Sequence, residues 1–299
     1  MHHGDNMLIY IKNSVRSFIK SKLTNICKNY TEQLAFTKPY IKRKHVEGVS
    51  FDFYIGDSEG MDWYDKSCTD PFWPELKIMK DLIIDVGDIV LDVGAHHGCT
   101  TICFSRWVGE QGRVFAVEPN PHNCDIITIN LGINNIKNVT AINKAAGAEA
   151  GVGQLDIASS NSRITSNISK GTIDVDIFPL DELIDFSPNV LKLDVEGSEV
   201  LALRGAKKIL ETYPKLMIEV HKNSLSQFNT TLVEMMSLID WSSYNCWVQW
   251  NGEPEILPYT FTDKNIAESM ERMVHAGTHI FARPIVSRIN NNRFYGTNE

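Results

Sequence analysis

This chain of 299 residues is informative first for what it lacks. Its six cysteines (Cys27, Cys68, Cys99, Cys103, Cys124 and Cys246) contain no Cys-x-x-Cys pair, which argues against a zinc site or a dithiol redox centre. Cys99 and Cys103 sit one helical turn apart on a face expected to pack against a sheet. All six read as reduced, mostly structural thiols of a cytoplasmic protein. No apolar run approaches the roughly 20 residues needed to cross a bilayer, so no transmembrane segment is expected. The N-terminus also lacks the unbroken apolar stretch of a secretory signal. Basic charge is scarce outside the first fifty residues. There, nine Lys or Arg against three acids give +6, which leaves −14 for the remainder of a chain whose total is −8. An acidic body does not suit an enzyme of nucleic acids, and no nucleic-acid partner is expected. There is no internal repeat and no low-complexity tract.

Within the basic lead, Ile11, Val15, Phe18, Ile19, Leu23 and Ile26 recur at helical spacing with lysines between them. A helix over residues 11–30 packed on the domain edge explains the pattern. Weak association with an anionic membrane surface is the alternative. Residues 1–80 are expected to form a basic helical and strand extension with an acceptor-side loop, and residues 81–299 the catalytic domain. The extension includes the alternating strand Val49–Ile55. In the loop Asp57–Pro74, Trp63, Tyr64 and Trp73 either staple the N-terminal region to the core or stack on the flat face of a ligand ring.

The densest signal is Ile89-Val90-Leu91-Asp92-Val93-Gly94-Ala95-His96-His97-Gly98. It predicts a buried strand that ends in an acid, breaks into a glycine turn and leads to a helix over 99–108. A second apolar run, Val114–Val117, ends on Glu118. Strand, glycine turn, helix, strand and terminal acid make the βαβ unit that binds an adenosine-containing cofactor. The acid at the second strand's tip can accept hydrogen bonds from the ribose hydroxyls. A dinucleotide loop would carry glycine where His96 stands, which disfavours a pyrophosphate. Asp92 would repel phosphate yet suit an ammonium group. S-adenosylmethionine has a ribose, an ammonium and no phosphate, and fits these residues better. The adjacent His96 and His97 are expected to diverge, with His96 or its neighbour facing the cofactor.

Downstream the pattern keeps alternating. It predicts a helix over 121–131, strand Val139–Asn143, two inserted strands (153–157 and 172–178) around a polar loop Ser159–Arg163, strand Val190–Val195, helix Ser198–Leu210, strand Lys215–Val220, helix Thr231–Ile239, and strands at 244–248 and 279–282. Such alternation implies an α/β fold with a doubly wound, mostly parallel sheet. Ligands of such sheets bind beyond the carboxyl ends of the strands. Those ends carry Asp92, Glu118, Asn143, Asp194, Glu196, Glu219 and His221.

Taken together, Asp92–Gly98, Glu118-Pro119-Asn120-Pro121, Lys192-Leu193-Asp194-Val195-Glu196-Gly197-Ser198-Glu199 and Glu219-Val220-His221 resemble the FkbM family of S-adenosylmethionine-dependent methyltransferases. The resemblance covers roughly 87–222. It implies a Rossmann-like class I methyltransferase fold, with a seven-stranded sheet closed by a C-terminal antiparallel hairpin. It also implies O-methylation of a hydroxylated small molecule, a sugar or natural product. Carried over, Gly94, Ala95 and Gly98 would line the methionine part, with Asp92 and His96 beside them. Glu118 would hold the ribose, Asn120 would support the following turn, and Asn143 and Lys144 would lie near the adenine. Asp194 would sit beside the methyl and the ammonium.

For the chemistry, His221 is expected to act as base, oriented by Glu219, with Asp194 alongside. The rival arrangement is a divalent ion such as Mg2+ held by Asp194, Glu219 and His221. Two other classes stay open: a nucleotide-dependent oxidoreductase, disfavoured by the missing glycine and the absence of an evident Tyr-x-x-x-Lys pair, and a catalytically silent nucleotide-binding protein. The acceptor's identity and the oligomeric state are not written in the sequence.

Overall fold

The structure, a computed structural model, describes residues 36–66, 73–157, 163–165, 171–185, 187–250, 255–262 and 277–285. The basic segment 11–30, Cys27, Cys68, and the loop residues Ser159–Ser162 lie outside the described residues. A two-stranded sheet, β1 (Tyr40–Val46) and β2 (Val49–Ile55), opens the described chain. Its turn uses Glu47 and Gly48 at φ 44° and 82°.

The chain divides into two compact units. Of the described residues, the smaller unit holds 36–42 and 54–66. There the stretch expected to be a loop is helical from its start. Asp57 caps helix α1 (Ser58–Met61) by accepting from the Gly60 amide at 2.7 Å, and a π-turn continues over Asp62–Lys66. Its acids serve structure: Asp65 accepts from the Tyr40 hydroxyl and pairs with Lys42. Tyr64 is buried, which removes it as a stacking surface, whereas Trp63 is exposed.

The larger unit holds 43–53 and the described residues from Trp73 onward. Helix α2 (Pro74–Ile78) runs on as a π-turn to Ile83 and precedes β3 (Ile89–Val93), α3 (Cys99–Val108), β4 (Arg113–Val117), α4 (Pro121–Ile133) and β5 (Val139–Ile142). An insertion follows: β6 (Ala145–Ala146), β7 (Gly151–Asp156), β8 (Arg163–Thr165) and β9 (Thr172–Phe178) form a separate four-stranded sheet. The core resumes with α5 (Leu180–Leu183), β10 (Val190–Leu193), α6 (Glu199–Arg204), α7 (Lys207–Glu211), β11 (Lys215–Val220), α8 (Lys222–Leu225), α9 (Leu232–Ser237), β12 (Tyr244–Gln249), β13 (Ile256–Tyr259) and β14 (Thr278–Pro284).

The main sheet has the order β13-β12-β14-β11-β10-β3-β4-β5. Strands β5, β4, β3, β10 and β11 are parallel, and β14 enters antiparallel between β11 and β12. This is the doubly wound, mostly parallel α/β arrangement expected from the motifs. One detail differs: the sheet has eight strands, because β13 adds antiparallel to β12 at the edge. Strands β3, β10 and β11 are buried almost throughout, which is why they read as continuous apolar runs. The reversal of winding falls between β3 and β10, and there the carboxyl ends open the crevice in which such folds bind ligands. The described cysteines are buried thiols. No helix among the described residues is long and apolar enough to cross a membrane.

The helix expected over 198–210 is instead two, broken at Gly205 and Ala206. The cause is tertiary. A Cβ on Gly205 would lie 2.0 Å from the Gly147 carbonyl oxygen. Beyond the break, Asp181 accepts from the Lys208 and Ile209 amides at 2.9 and 3.0 Å and so starts α7 afresh. Gly205→Ala should therefore lose about 1–3 kcal/mol by urea unfolding, since the clash is with backbone and cannot rotate away. Gly132→Ala, in helix α4 with open space at its Cβ, should be neutral or gain roughly 0.5–1 kcal/mol. Equal effects at the two positions would refute the packing account.

Candidate active site

Two strand-to-helix turns meet at the reversal point. Gly94, at φ 82°, ends β3 so close to the end of β10 that a Cβ would stand 1.7 Å from the Asp194 carbonyl oxygen. No side chain other than hydrogen fits there. Each turn also holds a non-glycine residue in the left-handed region, His96 at φ 52° and Glu196 at φ 53°. Such conformations cost on the order of 1 kcal/mol and persist only where the surroundings enforce them.

Under the turns lies Lys192, 4% exposed, which the sequence reading passed over. Its ammonium stands 3.2 Å from Asp92 Oδ1 and 3.3 Å from Asp194 Oδ2, and donates to the Gly94 carbonyl at 2.8 Å. Burial alone would lower the Lys192 pKa, but the two carboxylates overcome it and hold the pKa above its ordinary value. Asp92 is fully buried and also accepts from Thr101 Oγ1 at 2.6 Å and Thr100 Oγ1 at 3.3 Å. Its charge is thus directed inward, to Lys192 and to helix α3.

Glu118, beyond β4, accepts at Oε2 from the His96 amide (2.9 Å) and at Oε1 from the Asn120 amide (3.0 Å) and Asn123 Nδ2 (3.2 Å). A carboxylate offers about four lone-pair sites, so one remains on Oε2 for an outside donor. Burial raises the Glu118 pKa to about 7 against the pull of these donors. Asn120 caps α4 by accepting from the His122 amide at 3.0 Å. Asn143 Nδ2 donates to the carbonyls of Glu118 (2.9 Å) and Pro119 (3.0 Å), fixing the turn after β4. Lys144 pairs with Asp176 of the inserted sheet and lies 4.9 Å from the Phe178 ring centre. The histidines do not diverge. The rings of His96 and His97 stack at 4.1 Å and 5°, and buried His97 faces Asn123 Oδ1 at 3.1 Å through Nε2.

Beyond β10 and β11, the structure brings Asp194, Glu219 and His221 together, with one ligand-type atom from each within 4.8 Å of the others. The partner that orients His221 is not Glu219, as expected, but Glu199. That fully buried carboxylate accepts from His221 Nδ1 at 2.7 Å and from the Gly197 amide at 3.0 Å. On its other side, His221 Nε2 faces Glu196 at 3.5 Å, Glu219 at 3.6 Å and Asp194 at 3.9 Å. Burial disfavours the imidazolium, but Glu199 and the other acids outweigh burial and raise the His221 pKa to about 10. At neutral pH the ring already carries its proton. That charge state makes His221 a poor proton acceptor.

Burial raises the Glu196 pKa to about 7 despite His221. Burial would also raise that of Glu219, but His279 and His221 bring it down to about 2. Glu199 and His279 were not singled out in sequence. Glu199 looked like an ordinary acid in a helix's first turn, and His279 gains meaning only through its pairing with Glu219.

The pattern that defines the methyltransferase FkbM domain matches residues 92–246. A curated relative, the hexuronic acid methyltransferase AglP of Haloferax volcanii, is 31% identical over 146 residues, covering 45% of this chain and 56% of the relative. The chain thus spans about half the length of that relative. Among solved structures, the methyltransferase FkbM of Methylobacillus flagellatus KT aligns at TM-score 0.46 and 19% identity, over 70% of this chain and 47% of that one. A SAM-dependent O-methyltransferase of Thermotoga maritima aligns at TM-score 0.42 and 14% identity, over 82% and 77%. The resemblance carried by the motifs is borne out by the domain match.

Removing the Lys192 charge should leave Asp92 and Asp194 uncompensated. Lys192→Met is expected to cost about 3–5 kcal/mol by urea unfolding, and Asp92→Asn in the same chain should recover part of that loss. Additive losses in the double variant would contradict the coupling.

Proposed function

The chain belongs to the FkbM methyltransferase domain family, and from that premise we propose that it is an S-adenosylmethionine-dependent methyltransferase acting on a hydroxyl oxygen of a sugar-like small molecule. One observation carries the reading: the side-chain-free Gly94 turn, the partly free Glu118 and the Asp194–Glu219–His221 cluster share one sheet edge. The name of the Haloferax relative points to a uronic acid as the acceptor class. No observation favours the oxidoreductase or silent-binder alternatives.

The residues present suit the cofactor. Gly94, Ala95 and Gly98, with His96 at the turn's tip, would hold its methionine part. Asp92 would act on that turn through Lys192. Glu118 has room on Oε2 for one ribose hydroxyl, with Asn120 supporting its turn, and Asn143 and Lys144 would form the adenine side. Asp194, 29% exposed, would meet the ammonium and the reacting end. When bound, S-adenosylmethionine supplies an electrophilic methyl on a positively charged sulfur.

The chain's own task is to align and deprotonate the attacking hydroxyl. Glu219, held ionised, would accept a hydrogen bond from the acceptor. Glu196 would take the hydroxyl proton at Oε2, because a base works best when its pKa lies near the working pH. His221, already protonated, would keep the four surrounding carboxylates from repelling one another. A second reading rests on the close approach of Asp194, Glu219 and His221, which would admit a divalent ion such as Mg2+ that lowers the acceptor's pKa.

The test is transfer of a methyl group to p-nitrophenyl β-D-glucuronide, followed by mass spectrometry, combined with calorimetry of S-adenosylhomocysteine. A glycoside heavier by one CH2 is expected, and absence of both transfer and cofactor binding would end the proposal. Insensitivity of the transfer to EDTA would favour the carboxylate base; loss restored by Mg2+ would favour the metal. Affinity should also depend on pH. Below about 7 Glu118 is protonated and one of its oxygens becomes a donor; above it, both accept. Binding is therefore expected to tighten up to about tenfold from pH 6 to pH 8. Glu118→Gln should bind about tenfold more weakly at pH 8 and show no such slope. A flat profile in the parent would remove Glu118 from the site.

A further inference from the structure

We infer that His279 is a positioning residue for methyl transfer, fixing the Glu219 carboxylate from the strand that runs antiparallel through the sheet. This rests on the functional reading above. Glu219 of β11, His279 of β14 and Gln249 of β12 are direct cross-strand partners and form one row over three adjacent strands. Opposed residues of antiparallel strands project to the same face, so the row is set by backbone register. His279 Nδ1 lies 2.8 Å from Gln249 Oε1, and its Nε2 lies 3.4 Å from Glu219 Oε2. The other oxygen of Glu219, Oε1, faces His221 Nε2 at 3.6 Å.

Each oxygen of the carboxylate is thus held by a different imidazole, and the plane of the carboxylate is fixed by two strands. Gln249 is 1% exposed and His279 7%, so the row is buried and its polar groups need partners within the protein. A sheet needs no such row for cohesion, because apolar side chains at these positions would avoid the desolvation cost. At its β11 end the row meets the acid cluster beyond β10 and β11, and Glu75 ahead of β3 also acts on His279. The antiparallel strand therefore contributes to the reacting centre through Glu219, although none of its own atoms need touch the acceptor.

The test compares the parent with His279→Ala, His279→Gln and Gln249→Ala. In His279→Ala, kcat for p-nitrophenyl β-D-glucuronide should fall about tenfold to a hundredfold, with S-adenosylhomocysteine affinity changed less than about twofold. The glutamine amide can donate from nearly the place of the ring Nε2, so His279→Gln should recover most of the rate. Gln249→Ala, which leaves His279 in place but loosens it, should fall between. Crystal structures of the variants read the same point without any acceptor: Glu219 should leave its position in His279→Ala and keep it in His279→Gln. An unchanged Glu219 in His279→Ala, or a glutamine variant no faster than the alanine one, overturns the inference. A parent that binds no S-adenosylhomocysteine overturns the functional reading instead, and the crystal comparison then decides whether His279 fixes Glu219 at all.

Discussion

The ammonium of Lys192, buried between Asp92 and Asp194, is the interaction on which the rest of the site depends. A cluster of Asp92, Asp194, Glu196, Glu199 and Glu219 could not stay compact if those carboxylates faced one another alone. Lys192 offsets the two nearest the β3–β10 junction, and protonated His221 offsets Glu196, Glu199 and Glu219. The same lysine ties the Gly94 carbonyl, so charge balance and the shape of the glycine turn share one cause. Breaking a buried pair of this kind costs far more than losing a surface one, because the remaining charge has no water to turn to.

That balance recasts the chemistry. In water a histidine beside a carboxylate titrates near neutrality, and His221 looked like the natural base for that reason. Here it meets Glu199 on one nitrogen and three more acids on the other, so its proton is held fast. Among the acids around His221, the one near neutrality is Glu196, raised by burial and held in a left-handed conformation at the tip of its turn. The role we propose for Glu196 in place of His221 follows from counting all neighbours of a ring, which sequence adjacency cannot do.

The parts of the fold legible in the sequence were those governed by local pattern. The apolar runs of β3, β10 and β11, the glycine turn after Val93 and the acid after Val117 each follow from short-range rules, and each stands where expected. What depended on distant approach was not legible. The break at Gly205 needs the Gly147 carbonyl, 58 positions earlier in the chain. The stacking of His96 on His97 needs Asn123 to hold the second ring, and β13 needs the far edge of the sheet. In the site, Asp194, Glu219 and His221 were visible as strand-end residues. Glu199 was hidden as a helix-turn acid, and Lys192 as a charge inside an apolar strand. That second oddity was itself a signal, since a lysine between Leu191 and Leu193 must find partners when the strand is buried.

The central claim is that the cofactor lies across the β3–β10 junction, with its ribose on Glu118 and its reacting end toward Asp194 and Glu219. A crystal structure with S-adenosylhomocysteine tests it most directly. The account predicts one ribose hydroxyl within hydrogen-bond distance of Glu118 Oε2, the methionine part along Gly94–Gly98, and the sulfur facing the Asp194–Glu219–His221 cluster. A ligand bound with its ribose away from Glu118, or its sulfur turned from that cluster, would contradict it.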